Sequence, residues 1–318
     1  MKNTVRISPL LGLCFGILAV STASIFIRFA QEQASSLVIA AGRLSIATLV
    51  LAPFVLFRSH GDIKSIPKRK FCLIILAGVF LGLHFATWIT SLEYTSVASS
   101  VVLVATAPLW VALLSPLFLK EKINFVVFLG LIISLAGSLV VGLNSACDFS
   151  SGQMSCIPFS SLFGGRLFTG NLLALSGALF SAGYLMVGRR VRNNLSISVY
   201  VFLVYGVAAL VLIIMVMLSG IPIIAYSAPT WIWIVLLALI PQLLGHSTFN
   251  FFLKSLSAAF VSIALLGEPI GTVILAFIIL HESPTLLEIS GGLLILVGIF
   301  VASRSNNKKQ PKPEIQPV

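Results

Sequence analysis

The chain has 318 residues, of which 58% are hydrophobic and only 9% are charged. Roughly a quarter of the residues in an ordinary soluble domain are charged, so this composition excludes a water-soluble globular protein. The formal net charge of +11 does not indicate nucleic-acid binding, because the basic residues lie in loops between long apolar segments. The sequence therefore predicts an integral membrane protein whose solvent is the bilayer.

Apolar segments long enough to cross a bilayer follow one another along the chain. The predicted spans cover residues 10–29, 37–57, 71–92, 96–119, 124–143, 170–188, 197–218, 231–252, 256–280 and 286–303. The first span follows Lys2 and Arg6 and resembles a secretory signal. Apolar residues resume at Ile25, however, which favours an uncleaved helix.

Lysine and arginine residues lie almost entirely on one side of this ten-span arrangement. With a cytoplasmic N-terminus, all but three of the 20 Lys and Arg residues fall in cytoplasmic segments. The exceptions are Arg28 and Arg43, which lie within spans, and Arg166, which lies in an external loop. Because the pattern follows the positive-inside rule, it predicts a multi-pass protein of the plasma (cell inner) membrane with both termini cytoplasmic.

The four cysteines divide into two pairs. Cys14 and Cys72 fall in apolar spans and are interpreted as packing residues. Cys147 and Cys156 share the external loop, where either a disulfide or two free thiols would fit. No group of His, Cys, Asp and Glu has metal-ligand spacing, and no P-loop sequence is present. We therefore expect no cofactor, no metal and no direct use of nucleotide.

The second half of the chain repeats the first. The segment LEYTSVASSVVLVATAPL (92–109) is similar to LKSLSAAFVSIALLGEPI (253–270), at a shift of 161 residues. The same shift superimposes Pro108 on Pro269, Glu121 on Glu282, Gly130 on Gly291 and Gly137 on Gly298. Each half has about five spans, an odd number, so the second copy crosses the membrane in the opposite direction. Inverted repeats are a common transporter plan, with the substrate site between the repeats near the midplane.

This organisation divides the chain into four parts. The first five-helix repeat is predicted at 1–143 and the second at 170–304. Between them lies an external linker at 144–169, and a cytoplasmic tail follows at 305–318. The fold class is thus an all-α membrane protein of about ten helices in two inverted repeats.

The doubled motifs resemble the EamA-type transporters of the drug/metabolite transporter superfamily. The matching segments are APLWVALLSPLFLKEKI (107–123) and GEPIGTVILAFIILHES (267–283), together with Arg43 in AAGRLSIATLVL. The resemblance covers essentially the whole chain. It implies ten helices, a central cavity enclosed by helices one to four and six to nine, and small-molecule transport. One departure is that Ala107 precedes the proline of the first repeat where Glu268 precedes that of the second.

Two charged residues lie deep in predicted spans, where a charge is costly and usually faces a cavity. Glu268 is near the middle of the ninth span, where Pro269 can open the helix locally. It is predicted to bind a cationic group or to carry a coupling proton. Arg43 lies about 9 Å below the outer surface; it is predicted to attract a carboxylate or phosphate, or to pair with a buried acid.

Other polar residues form stripes along the spans and are candidates for lining the cavity. They are Ser24 in the first span, His84 and Trp88 in the third, Tyr184 in the sixth, and His246 and Asn250 in the eighth. A histidine bonded to a neighbouring helix and a packing tryptophan are the competing interpretations.

These features predict a secondary transporter that moves a small polar or amphipathic metabolite, such as an amino-acid-like molecule, by alternating access. Its expected partners are the substrate and the lipid bilayer, and not nucleic acid; coupling to protons and facilitated diffusion without coupling are both open. A lipid flippase or scramblase on the same scaffold is the alternative and would favour an apolar lateral opening. An intramembrane enzyme is less consistent with the sequence, since HExxH and GxSxG motifs are absent.

Overall fold

The computed structural model describes residues 9–95, 100, 103–120, 123–148, 155–156, 165–192, 195–223, 226–280 and 286–306. The helices of the first half are α1 (Pro9–Gln31), α2 (Ser36–Arg58), α3 (His60–Lys64), α4 (Lys68–Tyr94), α5 (Ala107–Phe118) and α6 (Phe125–Ala146). We call the side of the bundle at which α1 begins the near face, and the side at which it ends the far face.

The helices of the second half are α7 (Gly165–Val191), α8 (Ile197–Ser219), α9 (Ala228–Phe252), α10 (Ala258–Leu265), α11 (Glu268–Leu280) and α12 (Leu286–Asn306). The middle of α9, Ala238–His246, is π-helical. Two strands of two residues each, β1 (Cys147–Asp148) and β2 (Ser155–Cys156), pair antiparallel within the linker and place Cys147 opposite Cys156. The sequence did not predict this hairpin, α3 or the π-helical segment.

Six helices, namely α1, α2, α4, α7, α8 and α9, are long and apolar enough to cross a membrane. Shorter apolar helical segments lie at Ala107–Phe118, Phe125–Val140, Ala258–Thr272 and Ile289–Ala302. Large apolar side chains point outward, including Phe57, which is 89% exposed, and Leu218, which is 84% exposed. An apolar exterior of this kind suits lipid rather than water, so the described part of the chain confirms the all-helical membrane fold.

The spans predicted as unbroken at 96–119 and 256–280 are each divided. In the second half α10 ends at Leu265 and α11 begins at Glu268. Pro269 lacks an amide hydrogen and its ring clashes with the carbonyl four residues earlier, which is that of Leu265. In the first half residues 103–104 are helical, a turn follows, and α5 begins at Ala107. Pro108 is likewise four residues after Val104, so the same physical cause acts in both repeats.

The 161-residue repeat is visible in the positions of the helices. α2 and α8 begin at Ser36 and Ile197, and each has a serine N-cap whose hydroxyl accepts a hydrogen bond from the backbone N–H three residues on. Those caps, Ser35 and Ser196, differ by the same shift. α1 runs from the near to the far face and α7 runs from the far to the near face. The two repeats are therefore inverted.

The last helices of the two repeats, α6 and α12, pack directly against each other. The Ser134 hydroxyl lies 3.4 Å from the carbonyl of Ile295, its own repeat partner. Around this point Gly130 approaches the carbonyl of Gly298, and Gly137 approaches that of Gly291. Each glycine thus contacts the equivalent of the other, which is the pattern of a two-fold axis passing near Ser134.

Close approach of helices also sets the position of the central residues. Gly78 on α4 lies against the Val204 carbonyl on α8, and Gly245 on α9 lies against Val20 on α1. Small residues at such crossings let membrane helices pack backbone to backbone. As a result, the polar side chains of α2, α4 and α9 meet in the interior of the bundle.

Several sequence predictions fall outside the described residues. They concern Lys2 and Arg6, the helix-end pair Glu121 and Glu282, and the polar tail from residue 307.

Candidate functional site

Arg43 on α2 is the centre of the polar interior. Its side chain has no exposed surface. Its Nε donates a hydrogen bond of 2.9 Å to Oε1 of Gln242 on α9, which joins the two repeats. Among the described residues, its two terminal nitrogens, Nη1 and Nη2, have no hydrogen-bond partner, and neither does Nε2 of Gln242. All three nitrogens can only donate hydrogen bonds. The N–H groups beside Arg43 and Gln242 therefore lack acceptors among the described residues.

Aromatic rings surround the Arg43 guanidinium. Its central carbon lies 4.2 Å from the centroid of the Phe85 ring on α4, which is a cation–π contact. The His246 ring meets Phe85 edge-on at 5.4 Å, and the His84 ring stacks on Trp88 at 5.8 Å with an angle of 8°. We call Arg43, Gln242, Phe85 and His246 the Arg43 cluster.

The π-helical segment of α9 positions Gln242 and His246 toward the cluster. A π-helix has one extra residue in each turn compared with an α-helix, so it changes the direction of the side chains that follow. The Gln242 carbonyl accepts a hydrogen bond of 3.3 Å from the hydroxyl of Tyr205 on α8. The Tyr205 hydroxyl also lies 3.1 Å from the Ser247 hydroxyl. α8 therefore supports the π-helical turn from behind.

A second polar group lies on the near-face side of the Arg43 cluster. Asn250 on α9 donates through Nδ2 to the Tyr184 hydroxyl on α7 and, at 2.8 Å, to the His246 carbonyl. The Asn250 Oδ1 has no hydrogen-bond partner. With Tyr200 and Tyr205 on α8, these residues form what we call the tyrosine–asparagine track.

Glu268 is the first residue of α11, at the break in the ninth span. Its carboxylate and the Arg43 guanidinium lie close enough for their charges to interact. The Glu268 carbonyl lies 2.9 Å from the hydroxyl of Ser21 on α1. Gly271 packs against the same serine so closely that a methyl group there would overlap its hydroxyl. α1 thus fixes the start of α11 and the position of Glu268.

The residues predicted from polar stripes have different environments. His84 is bonded through Nδ1 to the Gly177 carbonyl on α7 at 2.9 Å, so that nitrogen carries its hydrogen. Trp88 is buried and its indole nitrogen has no described partner. Ser24 is half-buried on α1, and no described contact joins it to the Arg43 cluster.

The structure brings three residues to Arg43 or Gln242 that were not among the predicted site residues, although Gln242 was recognised as part of a polar stripe. Gln242 had a signal, because it repeats with His246 and Asn250 at every fourth position. Tyr205 had a weaker one, as a hydroxyl within an otherwise apolar run. Phe85 had none, since an aromatic residue in a membrane helix is ordinarily read as packing or as lipid-facing.

Two cavities lie away from the Arg43 cluster. One, of about 220 Å³, is at the near face and is lined by Asp62, Ser65, Ile66, Pro67, Lys70, Leu195 and Ser196. The other, of about 200 Å³, is almost wholly apolar and lies between α2, α8 and the start of α9. Within the described part of the chain, no three His, Cys, Asp or Glu residues are grouped so that they could hold a metal ion.

Comparison with family models gives two matches in this chain. The model of the EamA-like transporter family matches residues 7–143 and again residues 168–304. The two matched segments begin and end at a shift of 161 residues, as the repeat predicts.

The chain is also similar to several bacterial and archaeal proteins along most of its length. It is 27% identical over 312 residues to the uncharacterized transporter YdfC of Bacillus subtilis, covering 96% of this chain and 94% of that protein. It is 25% identical over 272 residues to YyaM of the same species, covering 83% of each. An uncharacterized transporter of Archaeoglobus fulgidus is 24% identical over 280 residues, which is 87% of this chain and 92% of the relative.

One solved structure has the same fold. It is a protein crystal structure that superimposes with a TM-score of 0.76 at 17% identity, covering 95% of this chain and 99% of the other. At that level of identity the likeness concerns the fold alone.

Proposed function

Because this chain belongs to the EamA-like transporter family, we propose that it is a secondary transporter that moves a small polar or amphipathic metabolite by alternating access. Family membership makes it a multi-pass membrane transporter and not an enzyme. The repeats at 1–143 and 170–304 are the two units that move against each other. The linker at 144–169 joins them and includes the last residues of α6 and the first of α7, and the tail at 305–318 begins within the last turn of α12.

The observation that carries the proposal is the incomplete hydrogen bonding of Arg43. Buried polar groups are almost always paired, and an unpaired buried charge is strongly unfavourable. Nη1 and Nη2 of Arg43 and Nε2 of Gln242 converge without acceptors. An anionic group on the substrate, such as a carboxylate, would supply acceptors in a geometry that a guanidinium binds in two places.

The surroundings of Arg43 support an amphipathic substrate. Phe85, His84 and Trp88 supply ring faces on one side, and Glu268 supplies a carboxyl group at the start of α11. A molecule with a carboxylate, an apolar body and a cationic group would match the Arg43 guanidinium, the aromatic rings and the Glu268 carboxyl group in turn. Amino-acid-like metabolites are therefore the first class to test. In this scheme Glu268 binds the cationic group or carries the coupling proton, and His246, Tyr184, Asn250 and Ser24 line the path.

The substrate is found by comparing the metabolites of deletion and overexpression strains and then measuring transport of the candidates in proteoliposomes. In that assay Glu268→Gln should lower accumulation driven by a pH gradient about tenfold or more, because loss of one charged interaction of 1.4 kcal/mol corresponds to a factor of ten. Exchange of substrate across the membrane without a gradient should be reduced less.

Glu32→Gln is the matched control for this change. Glu32 is exposed at the far end of α1, so neutralising it removes the same charge without touching the interior. Gradient-driven accumulation by Glu268→Gln at the parent level would reject Glu268 as the coupling residue.

In the proposed orientation the protein lies in the plasma membrane and its near face is on the cytoplasmic side. A single cysteine at Lys64, which is exposed at the end of α3, should react with a membrane-impermeant maleimide in inverted vesicles and not in spheroplasts. Native Cys147 or Cys156 should react in spheroplasts if their thiols are free. The reverse pattern would contradict the orientation, as would glycosylation of Asn194, which lies outside the described residues, in a eukaryotic host.

A lipid flippase is the second candidate, and the apolar cavity between α2, α8 and α9 is the observation in its favour. Its lining includes Val38, Ile213 and Trp231 but not Arg43. Such a protein would translocate labelled phospholipid in liposomes, whereas a metabolite transporter would not. Measuring both substrates in one preparation separates the two functions.

A further inference from the structure

Two arginines at the end of α7, Arg189 within the helix and Arg192 just after it, bind main-chain carbonyls at the near-face end of α9. Arg189 donates through Nη1 to the carbonyls of Leu253 and Lys254, at 2.9 and 3.1 Å. The last carbonyls of a helix have no intrahelical partner and carry the negative end of its dipole, so a cation there is favourable. This contact ties the end of α7 to the end of α9.

Arg192 makes the deeper of the two attachments. It is only 2% exposed, although its position after α7 predicts a basic residue in a solvated loop. Its Nε donates a hydrogen bond of 2.9 Å to the Asn250 carbonyl on α9. Its Nη1 donates to the Leu195 carbonyl, in the turn that leads into α8. Arg192 therefore joins α7, α8 and α9 at one point near the near face.

The repeat places an uncharged side chain at the counterpart position of the far face, close to the Glu93 carboxyl, which accepts a hydrogen bond of 3.1 Å from the Ser36 backbone N–H. The counterpart of Arg192 is Gln31, whose Nε2 donates to the Ser36 hydroxyl at 2.9 Å. The Ser36 hydroxyl in turn donates to the Ile89 carbonyl at 3.1 Å, and Ile89 is the counterpart of Asn250. The same carbonyl position is thus held by a buried cation at one face and by a chain of neutral groups at the other.

The residues that lie between each of these two side chains, Arg192 and Gln31, and the interior of the bundle also differ between the repeats. The tyrosine–asparagine track leads from the Arg43 cluster towards Arg192. The counterparts of Tyr184, Tyr200, Tyr205 and Asn250 are Ala23, Ile39, Leu44 and Ile89. All four counterparts are apolar and all are buried. The track also contains two buried polar atoms, Oδ1 of Asn250 and the hydroxyl of Tyr200, that have no hydrogen-bond partner in the part of the chain that the structure describes.

We propose that Arg192, assisted by Arg189, is the gating residue that holds the near face closed, and that the tyrosine–asparagine track behind it is the near-face half of the substrate path. The track is formed by side chains of α7, α8 and α9, which Arg192 ties together. The near face opens along the track only when these bonds break. The unpartnered atoms of Asn250 and Tyr200 then hydrogen-bond to water or to the passing substrate. This inference rests on the proposed transport function, but its test needs no substrate.

The experiment measures access to the track by cysteine labelling. All four native cysteines are replaced by serine, and Ser247→Cys is introduced, because the Ser247 hydroxyl lies 3.1 Å from that of Tyr205 within the track. Inverted vesicles and spheroplasts are treated separately with a membrane-impermeant maleimide. A separate Lys64→Cys protein identifies the preparation that presents the near face.

Arg192→Gln introduces at the near face the same residue type, glutamine, that the first repeat has at the equivalent position, Gln31. It should raise the rate of labelling at position 247 from the near face about tenfold or more, since hydrogen bonds from charged donors contribute enough to change an equilibrium by that factor. Labelling from the far face should not change. Ala86→Cys, at the equivalent point of the first repeat, should react no faster with Arg192→Gln than without it.

Arg190→Gln is the matched control, because Arg190 is exposed on the same helix end and its loss removes the same charge. Labelling by Arg192→Gln at the parent rate, or an equal increase with Arg190→Gln, would overturn the proposal. Protein quality is checked by size-exclusion chromatography. If Arg192→Gln is not monodisperse, Arg189→Gln carries the test with the same expected direction. Absence of metabolite transport together with gated labelling would reject the proposed function and leave the gate standing.

Discussion

Replacing Arg43 by methionine should abolish transport while leaving the protein inserted and at least as stable as the parent. Two charge-assisted hydrogen bonds to a substrate anion contribute about 1.5–3 kcal/mol each. Their loss corresponds to roughly a hundredfold or more in transport at low substrate concentration. Methionine has a similar length and no charge, so it fills the space beside Phe85 without leaving a large cavity.

Arg43→Met is expected to lower transport but to maintain or raise the free energy of unfolding. Arg43 is fully buried and has two nitrogens without partners, and burial of an incompletely paired charge costs free energy. The interaction with Glu268 and the contact with Phe85 offset part of that cost. A residue whose removal raises stability and removes activity is one retained for function.

The measurement pairs transport in proteoliposomes with thermal unfolding of the purified protein. Arg43→Lys serves as a second variant, because lysine keeps the charge but cannot bind an anion in two places as a guanidinium does. It should retain intermediate transport. A large fall in the unfolding temperature of Arg43→Met would mean that Arg43 is a structural residue, and full transport would remove it from the site.

The sequence was sufficient for those features that follow from local composition. A long apolar run indicates a membrane helix, so the spans could be predicted to within a few residues. Glu268 and Arg43 could be singled out because a charge inside a membrane helix is costly whatever its partners are. The repeat could be recognised because Pro108 and Pro269 interrupt equivalent helices by the same steric clash.

What the sequence did not predict depends on contacts between distant segments. Arg43 and Gln242 are 199 residues apart, and no pattern along either helix indicates that they meet. The π-helical turn that directs Gln242 contains Pro241, which lacks an amide hydrogen, but a proline alone does not indicate that a helix continues through it in π-helical form. Arg192 was assigned to a solvated loop by charge alone, whereas its burial depends on the carbonyls of α9 and of the turn after α7.

Substitution of Gly298 by alanine should destabilise the fold through the contact between α6 and α12. A methyl group at Gly298 would lie 2.6 Å from the Gly130 carbonyl oxygen and 2.7 Å from the Ser134 backbone nitrogen. Backbone atoms cannot turn away as a flexible side chain can, so the two helices must separate. Overpacking of this type costs about 1–3 kcal/mol, and the separation also weakens the Ser134–Ile295 contact at the two-fold axis.

Gly292→Ala is the matched control on the same helix. There a methyl group would meet only a side-chain carbon of Ile270 at 3.7 Å, which is ordinary contact. In a helix interior alanine is favoured over glycine by about 0.8–1 kcal/mol, so Gly292→Ala should leave the free energy of unfolding unchanged or raise it. The same helical preference acts at Gly298, where the steric cost exceeds it.

Thermal unfolding in detergent compares the two variants directly, and proteoliposome transport separates stability from mechanism. Gly298→Ala should lower the unfolding temperature and the yield of folded protein, while the substrate concentration for half-maximal transport stays at the parent value, because Arg43 and Glu268 lie on other helices. Gly137→Ala should behave in the same way, since its methyl group would lie 2.6 Å from the Gly291 carbonyl oxygen. Equal stability of Gly298→Ala and Gly292→Ala would show that α6 and α12 are not packed backbone to backbone. That result would also remove the evidence for a two-fold axis between the repeats near Ser134.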